Sequence, residues 1–388
     1  MDHRHIPFNR PFLAGREFLN IADAVLVKQR LSGAGTYSRM CAAWLESTLG
    51  AGQALLTHSC TAALEMSALL CGIGPGDEVI MPSFTFASTA NAFALRGAVP
   101  VFVDIRRDTL NLDERQLERA ITTRTKAVVP VHYAGFPCEM DTIVSVAREH
   151  GLFVIEDAAQ GLLGSYADRH LGTIGDIGCL SFHETKNIIA GEGGAILINR
   201  AELREQAEVL WEKGTNRLQL MRGQVDKYTW LELGSSFAPS EITAAFLYAQ
   251  FERAPEIILK RRALHQRYRR GLAGLMPRIS LPLEHENDSG CAHIFYLLTR
   301  TPDERGALLD YLDGEGINAI FHYVPLHSSP AGRRYCRTHG GELPVTDLVS
   351  ATLVRLPLFY EMREDQVDDV IAAVTAFYAA RTTASAAA

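Results

Sequence analysis

In Ser181-Phe182-His183-Glu184-Thr185-Lys186-Asn187 a lysine stands five residues after a serine, just ahead of the glycine-rich Gly191-Glu192-Gly193-Gly194. An amine becomes a nucleophile when burial or a nearby cation lowers its pKa, and this spacing lets the Ser181 hydroxyl hold a phosphate while the amine reaches an aldehyde. On its own, Lys186 would read as a solvated surface lysine. Asp157 changes that reading. It follows the apolar run Leu152-Phe153-Val154-Ile155, where a carboxylate either opens a helix as its N-cap or pairs with a protonated ring nitrogen. The second role keeps the ring of pyridoxal phosphate electron-poor, and that ring is an electron sink for a carbanion. Gln160, about one helical turn on, is placed to reach the phenolic oxygen of the same ring. Ser59-Cys60-Thr61 lies between a strand and a helix start, where free N–H groups and the positive helix end cradle phosphate. Ser59 can cap that helix while its neighbours bind the anion.

These segments meet only if a fold brings them together. From about residue 50 to 200, strand-like runs (Gln53–His58, Glu78–Pro82, Val99–Ile105, Ala127–Val131, Leu152–Ile155) alternate with helix-like ones (Ala62–Leu70, Ser88–Leu95, Glu114–Ile121, Met140–His150). Cys179–Phe182 and Ala195–Ile198 suit a hairpin-like pair. Such alternation predicts an α/β fold with a mostly parallel sheet covered by helices. Ligands in such sheets sit outside the carboxyl ends of the strands. Ser59–Thr61, His132–Gly135, Glu156–Gln160 and Ser181–Asn187 all fall at such ends. After Ala201 the pattern changes: a helix Glu202–Lys213, a polar stretch Gly214–Ser236 that is long for a structureless loop, and a long helical pattern Ser240–Arg270. A strand Ile294–Thr299 and helices Arg305–Asp313 and Asp365–Ala379 complete it. Residues 1–249 are read as an N-terminal arm and large cofactor-binding domain, and 250–388 as a smaller α+β C-terminal domain.

The bulk numbers narrow the field. The chain has 388 residues, 47% apolar and 21% charged, with a formal charge of −7. This gives no general reason to bind nucleic acid or an anionic membrane. No apolar run reaches the ~18 residues needed to span a bilayer. The seven cysteines are odd in number and lack zinc-like spacing, which predicts free thiols, no metal and a cytoplasmic protein. His3 and His5 read as part of an untethered arm. Gly72-Ile73-Gly74-Pro75-Gly76-Asp77 reads as a turn before a strand, so a nicotinamide dehydrogenase is disfavoured.

From Ile6-Pro7-Phe8-Asn9 to Leu356-Pro357-Leu358 the chain resembles the DegT/DnrJ/EryC1/StrS family of sugar aminotransferases, within fold type I of the pyridoxal-phosphate enzymes. Pro75–Ile80, Pro82–Asn91, Glu156–Gln160, Ser181–Asn187 and Tyr323-Val324-Pro325-Leu326-His327 carry the likeness. It implies a homodimer with active sites at the subunit interface, L-glutamate as amino donor and a nucleotide-linked 4-keto-6-deoxyhexose as acceptor. Position by position, Lys186 looks like the residue that joins pyridoxal phosphate and shuttles the proton, and Asp157 like the partner of the ring nitrogen. Gln160 approaches the ring oxygen, Phe86 stacks on the ring, and Cys60, Thr61 and Ser181 hold the phosphate. Gly223-Gln224-Val225-Asp226-Lys227-Tyr228-Thr229-Trp230 is similar to the subgroup that aminates dTDP-4-keto-6-deoxy-D-glucose to dTDP-4-amino-4,6-dideoxygalactose for surface polysaccharide. In an acidic protein the sugar diphosphate needs local cations; Arg217, Arg222 and Lys227 are candidates. Tyr323 and His327 are expected to line the sugar site.

Two positions depart from the family pattern. Cys60 stands where many relatives carry Gly. Ser236 stands where many place an Asn from the partner subunit near the phosphate, so the hydroxyl of Ser235 or Ser236 is a candidate replacement. A related sugar dehydratase would replace Lys186, usually with His. A non-catalytic sugar-nucleotide-binding protein would not need the set Lys186, Asp157, Gln160 and Ser181.

Overall fold

The computed structural model describes residues 5–283 and 290–386. Its first half is strand–helix alternation: β1 (Ala54–Thr57), β2 (Glu78–Pro82), β3 (Val99–Val103), β4 (Thr125–Val128) and β5 (Phe153–Asp157). A short ribbon, β6 (Ser165–Tyr166) and β7 (Arg169–His170), precedes β8 (Ile177–Ser181) and β9 (Gly194–Ile198). The second half adds β10 (Phe295–Leu298), β11 (Arg337–Thr338) and β12 (Leu353–Leu356).

Eight strands make one sheet in the order β1-β9-β8-β5-β4-β2-β3-β11, in which only β9 runs against the rest. The expected α/β class with a mostly parallel sheet is the class observed. β2, β8 and β9 are buried at every position, which is why they are mostly apolar in succession rather than alternating, with Glu78 and Ser181 only at their ends. Apolar clusters lie on both faces of the sheet, one around Leu45, Leu56, Ile80 and Val154, the other around Leu64, Val79, Phe93 and Ile155. Successive residues such as Val79 and Ile80 go to opposite faces, as the two-residue strand period requires.

The second half does not divide cleanly at residue 250. The Ser240–Arg270 pattern is two helices, Glu241–Glu252 and Ala254–Leu272, separated at Arg253. Pro255 lacks the N–H that would continue the first helix and is suited to the opening turn of the second. Ala254 and Ile257 pack in the large core, whereas Leu264, Tyr268 and Leu272 pack in a third core with β10 and β12. Ile6 bridges to Ile317 and sits in that third core, so the N-terminal arm serves the smaller body. β11 runs the other way, pairing in parallel with β3 at the edge of the large sheet. The two bodies thus share chain segments in both directions.

Among the described residues no helix is long and apolar enough to cross a membrane, and no group of His, Cys, Asp and Glu could hold a metal ion.

Candidate active site

Register brings the phosphate candidates together. Thr57, Gly194 and Ser181 are partners in one row across β1, β9 and β8, at the end where the helix Cys60–Leu70 begins. Gly194 must be glycine here: a Cβ would lie 2.5 Å from the Cys60 amide nitrogen and 2.4 Å from the Ser59 carbonyl carbon. Ser59 caps the helix, its Oγ accepting from the Ala62 N–H at 3.1 Å. The N–H groups of Cys60 and Thr61 have no acceptor among the described residues. Both readings of this segment therefore hold, a capped helix and two free donors at its positive end. The Cys60 side chain is buried in an apolar cluster with Cys179, and burial pushes its thiol well above the usual range. Only its backbone N–H is left for an anion. Thr61 Oγ1 shares a 2.7 Å hydrogen bond with Ser88 Oγ, a further hydroxyl that the sequence reading missed.

Asp157 is the last residue of β5 and 5% exposed. The helix expected after it is absent; residues 158–164 form successive tight turns instead. Gly161 and Gly164 press against Leu171 there, and a Cβ on Gly164 would come within 2.9 Å of it. Asp157 Oδ1 accepts from the Ala159 N–H at 3.2 Å, and Oδ2 accepts from Thr89 Oγ1 at 2.7 Å. Burial nevertheless raises its pKa above the ordinary carboxylate value, outweighing those two bonds and the charge of Lys186. A buried carboxylate in this condition is suited to receive a cation.

Lys186 lies in the loop between β8 and β9, its backbone N–H bonded to the His183 carbonyl at 2.9 Å. Burial pushes its ammonium below the usual lysine range, while the opposing charge of Asp157 acts to raise it. A neutral amine is correspondingly easier to reach near neutral pH. Phe86 precedes the helix Ala87–Ala94 and is 61% exposed, so it is not a core ring. Gln160 is fixed at both ends: Oε1 accepts from the Ala134 N–H at 2.7 Å and Nε2 donates to Tyr323 Oη at 2.8 Å. One Nε2 hydrogen is left for another acceptor. His327 is held on two sides, sharing a 2.8 Å hydrogen bond with Ser83 and lying 3.3 Å from Asp347.

Several groups beside this cleft escaped the sequence reading. Tyr133 Oη and His322 Nδ1 are 2.7 Å apart, and the His322 ring stacks on Tyr323 with centroids 3.6 Å apart. Burial holds His322 well below the usual imidazole range, helped by the charges of Arg355 and Lys186. Tyr133 lies inside the His132–Gly135 segment and His322 directly precedes Tyr323, so proximity to quoted motifs was the available signal. His132, also in that segment, meets Glu156 at 2.9 Å in full burial. Glu156 Oε1 in turn accepts from the N–H groups of Ile174 and Gly175, both at 2.6 Å.

His293 Nδ1 lies 3.1 Å from Asn187 Oδ1, one residue from Lys186. Burial lowers its pKa well below the ordinary value, and Lys186, Arg261, Arg355 and His322 lower it further. The unfolded chain therefore takes up a proton below about pH 6.5 that the folded chain refuses. Stability from this residue is full above that pH and is lost as pH falls. Between pH 7 and 5.5 it should cost about 1 kcal/mol. Urea unfolding at the two pH values checks this, with His293→Gln expected to show a smaller drop by that amount.

The three candidate cations lie apart from this network. Arg217 donates to Glu212 at 3.0 Å, and Arg222 pairs with Glu208. Lys227 Nζ has no ion pair or hydrogen bond among the described residues. Among the described residues no hydrogen bond or ion pair joins 214–236 to Lys186 or Asp157. Ser236 instead bridges to Glu212, and the Ser235 carbonyl accepts from the Lys213 N–H.

A model of the DegT/DnrJ/EryC1/StrS aminotransferase family matches residues 14–375. The chain belongs to that family. The aminotransferase is 36% identical over 333 residues to the spore coat polysaccharide biosynthesis protein SpsC of Bacillus subtilis (strain 168), covering 84% of this chain and 85% of that one. Its structure is similar to the aminotransferase TlmJ from Streptoalloteichus hindustanus, with a TM-score of 0.88 and 30% identity over 97% of this chain and 100% of that one. It is also similar to S. venezuelae DesV, solved with a ketimine intermediate, with a TM-score of 0.86 and 32% identity over 95% and 97% of the two chains. The aminotransferase is a fold type I, pyridoxal-phosphate-dependent enzyme acting on sugars. The residues present fit that cofactor. They offer a buried carboxylate suited to a ring N–H cation, an amine with a lowered pKa, and an exposed ring. Two free N–H groups beside the Ser181 and Thr61 hydroxyls suit a phosphate.

Proposed function

We propose that the aminotransferase moves the amino group of L-glutamate onto dTDP-4-keto-6-deoxy-D-glucose, giving 2-oxoglutarate and dTDP-4-amino-4,6-dideoxygalactose. The observation that carries the amino-transfer chemistry is Lys186, its pKa lowered by burial, within the field of the buried carboxylate Asp157. Pyridoxal phosphate, when bound, supplies the electron sink that spreads the charge left on the donor carbon after proton loss. Asp157 would hold the positive charge on the ring nitrogen, and Phe86 would cover a ring face. The free N–H groups of Cys60 and Thr61, with the hydroxyls of Thr61 and Ser181, would hold the phosphate. Gln160, fixed by Ala134 and Tyr323, has one remaining hydrogen that would serve the ring oxygen. With the cofactor bound, Lys186 Nζ would be the base that takes the α-proton from the donor and gives it back as the amino group is handed over. The same amine moves a proton the other way when the keto sugar follows, so donor and acceptor should show ping-pong kinetics.

Tyr323 and His327 belong to the sugar side of the cleft in this reading, and Lys227 to the diphosphate. The sugar and nucleotide rest on the Gly223–Trp230 likeness, and a role in surface polysaccharide is supported by the name of SpsC. A homodimer is part of the proposal, supported by exposed apolar side chains on two segments: Phe18, Leu19, Leu26 and Val27, and Trp230, Leu231 and Leu233. Seven unpaired thiols support a cytoplasmic setting.

Purified enzyme incubated with L-glutamate and dTDP-4-keto-6-deoxy-D-glucose should yield a product whose C4 amine is axial by NMR. An equatorial amine, or no amination of this acceptor, would overturn the substrate assignment.

A further inference from the structure

A cavity of about 250 Å³ lies where the loop after β3 meets the smaller body, and it shares no residue with the network around Lys186. Arg107 lines it from that loop, Arg278 and Ser280 from the chain ahead of β10, and Arg300 from the end of β10. Leu298, Leu348 and Val349 supply apolar wall. Acids outnumber bases in the chain, 45 to 38, yet among the described residues no carboxylate lines this space. The acids of the same loop are committed elsewhere. Asp104 accepts from the N–H groups of Val345 and Thr346 and from the Thr346 hydroxyl. Asp108 meets the Arg106 fork at 2.9 and 2.7 Å, and Glu114 accepts from Arg106 Nη1 at 2.9 Å. Arg107 and Arg300 are left with no side-chain hydrogen bond or ion pair among the described residues, and so is the Ser280 hydroxyl. Arg278 directs one N–H to the Tyr378 carbonyl at 3.4 Å, and a guanidinium has five. Thr299 and Thr352 also line the cavity, but their hydroxyl hydrogens go to carbonyls. Like charges gathered beside an apolar wall repel one another and focus their field on any anion that enters.

We propose that this cavity binds a small phosphate-bearing molecule. A single guanidinium fork suits a carboxylate and a phosphate alike. Three forks on three chain segments, with a free hydroxyl beside them, offer more donors than the two oxygens of a carboxylate can take. A phosphate group presents three strongly accepting oxygens and close to two negative charges. Size sets the upper limit. Clefts for drug-sized ligands begin at about 300 Å³, so this one suits inorganic phosphate or the phosphate ester of a short carbon chain rather than a nucleotide. Arg107 follows a strand of the large sheet and Arg300 a strand of the smaller body. A phosphate held by both ties the two bodies together at this seam.

Holoenzyme, in which the cofactor already fills its own phosphate site, is titrated calorimetrically with inorganic phosphate at constant ionic strength. Binding should be saturable, and the melting temperature should rise with phosphate concentration. Arg107→Gln and Arg300→Gln should each weaken binding by about 10- to 100-fold. Arg107→Lys, which keeps the charge and loses the fork, should weaken it less. The response of all three variants to L-glutamate, read from cofactor absorbance in phosphate-free buffer, should stay within about twofold of wild type. Glycerol 3-phosphate separates the two sources: tighter binding than inorganic phosphate marks an ester as the ligand, and weaker binding marks the free anion. Acetate at the same ionic strength should not compete. Absence of saturable binding to either phosphate compound would overturn the proposal. Affinity unchanged in both Gln variants would do so as well, because the anion would then sit elsewhere in the molecule. Acetate competing as well as phosphate would assign the cavity to a carboxylate instead.

Discussion

Lys186→Ala should abolish steady-state amino transfer, with kcat reduced by at least about a thousandfold. Covalent attachment and proton transfer are lost together, and positioned proton transfer alone is worth 10²–10⁴. The expected effect on stability has the opposite sign. Burial lowers the folded-state pKa of this amine, so below the unfolded value near 10.4 the unfolded chain holds the proton more readily. At pH 7 the residue therefore works against folding. The cofactor-free Ala variant should melt no lower than cofactor-free wild type, while its turnover disappears. A variant with near-normal turnover, measured by 2-oxoglutarate release, would contradict the role assigned to the amine.

Asp157→Asn should lower kcat by about 10²- to 10³-fold, the scale expected when one partner of a buried charge pair is removed. Here too, stability and activity should part. Burial raises the folded-state pKa of Asp157. Its contribution to stability is thus fully present below the unfolded value near 3.9 and is lost as pH rises through the folded one. At pH 7 without cofactor, the charge costs stability, and Asn should melt at the same temperature or higher. With cofactor the order should reverse, because only the carboxylate can hold the ring cation. Calorimetric melting of both proteins, with and without pyridoxal phosphate, reads this crossing. A wild type that is not stabilised more than the variant by cofactor would remove Asp157 from its assigned place.

The large sheet was legible because its strands are short, apolar and separated by amphipathic helices. β2 was read at the bounds it has, and the hairpin-like pair became β8 and β9. After Asp157 the sequence leaves open a helix capped by that residue. Gly161 and Gly164, needed for close contact with Leu171, decide against it. The helix Thr36–Leu49 was missed although Tyr37, Cys41, Leu45 and Leu49 repeat at its buried face. Its N-terminus is closed from far away: Glu241 accepts from the N–H groups of Gly35, Tyr37 and Ser38. No local pattern reports a cap more than two hundred residues distant.

At the candidate site, the sequence singles out residues carried in contiguous motifs and is silent on those brought in by tertiary packing. Asp157 and Ser181 lie at strand ends that the apolar runs marked. His293, His322 and Arg355 come from the second half, where β10 and β12 are four-residue strands in weakly patterned sequence. Arg217 and Arg222 are of a type that fits a diphosphate, and in the structure each pairs with a glutamate of the helix Arg204–Trp211 or the residue after it. Such partners are visible only in three dimensions.

Reduction of the holoenzyme with borohydride, followed by peptide mapping, addresses the covalent link itself. The vitamin B6 label should appear on the peptide spanning His183–Asn187, at Lys186. Label recovered on another lysine, or none on any peptide, would contradict the account.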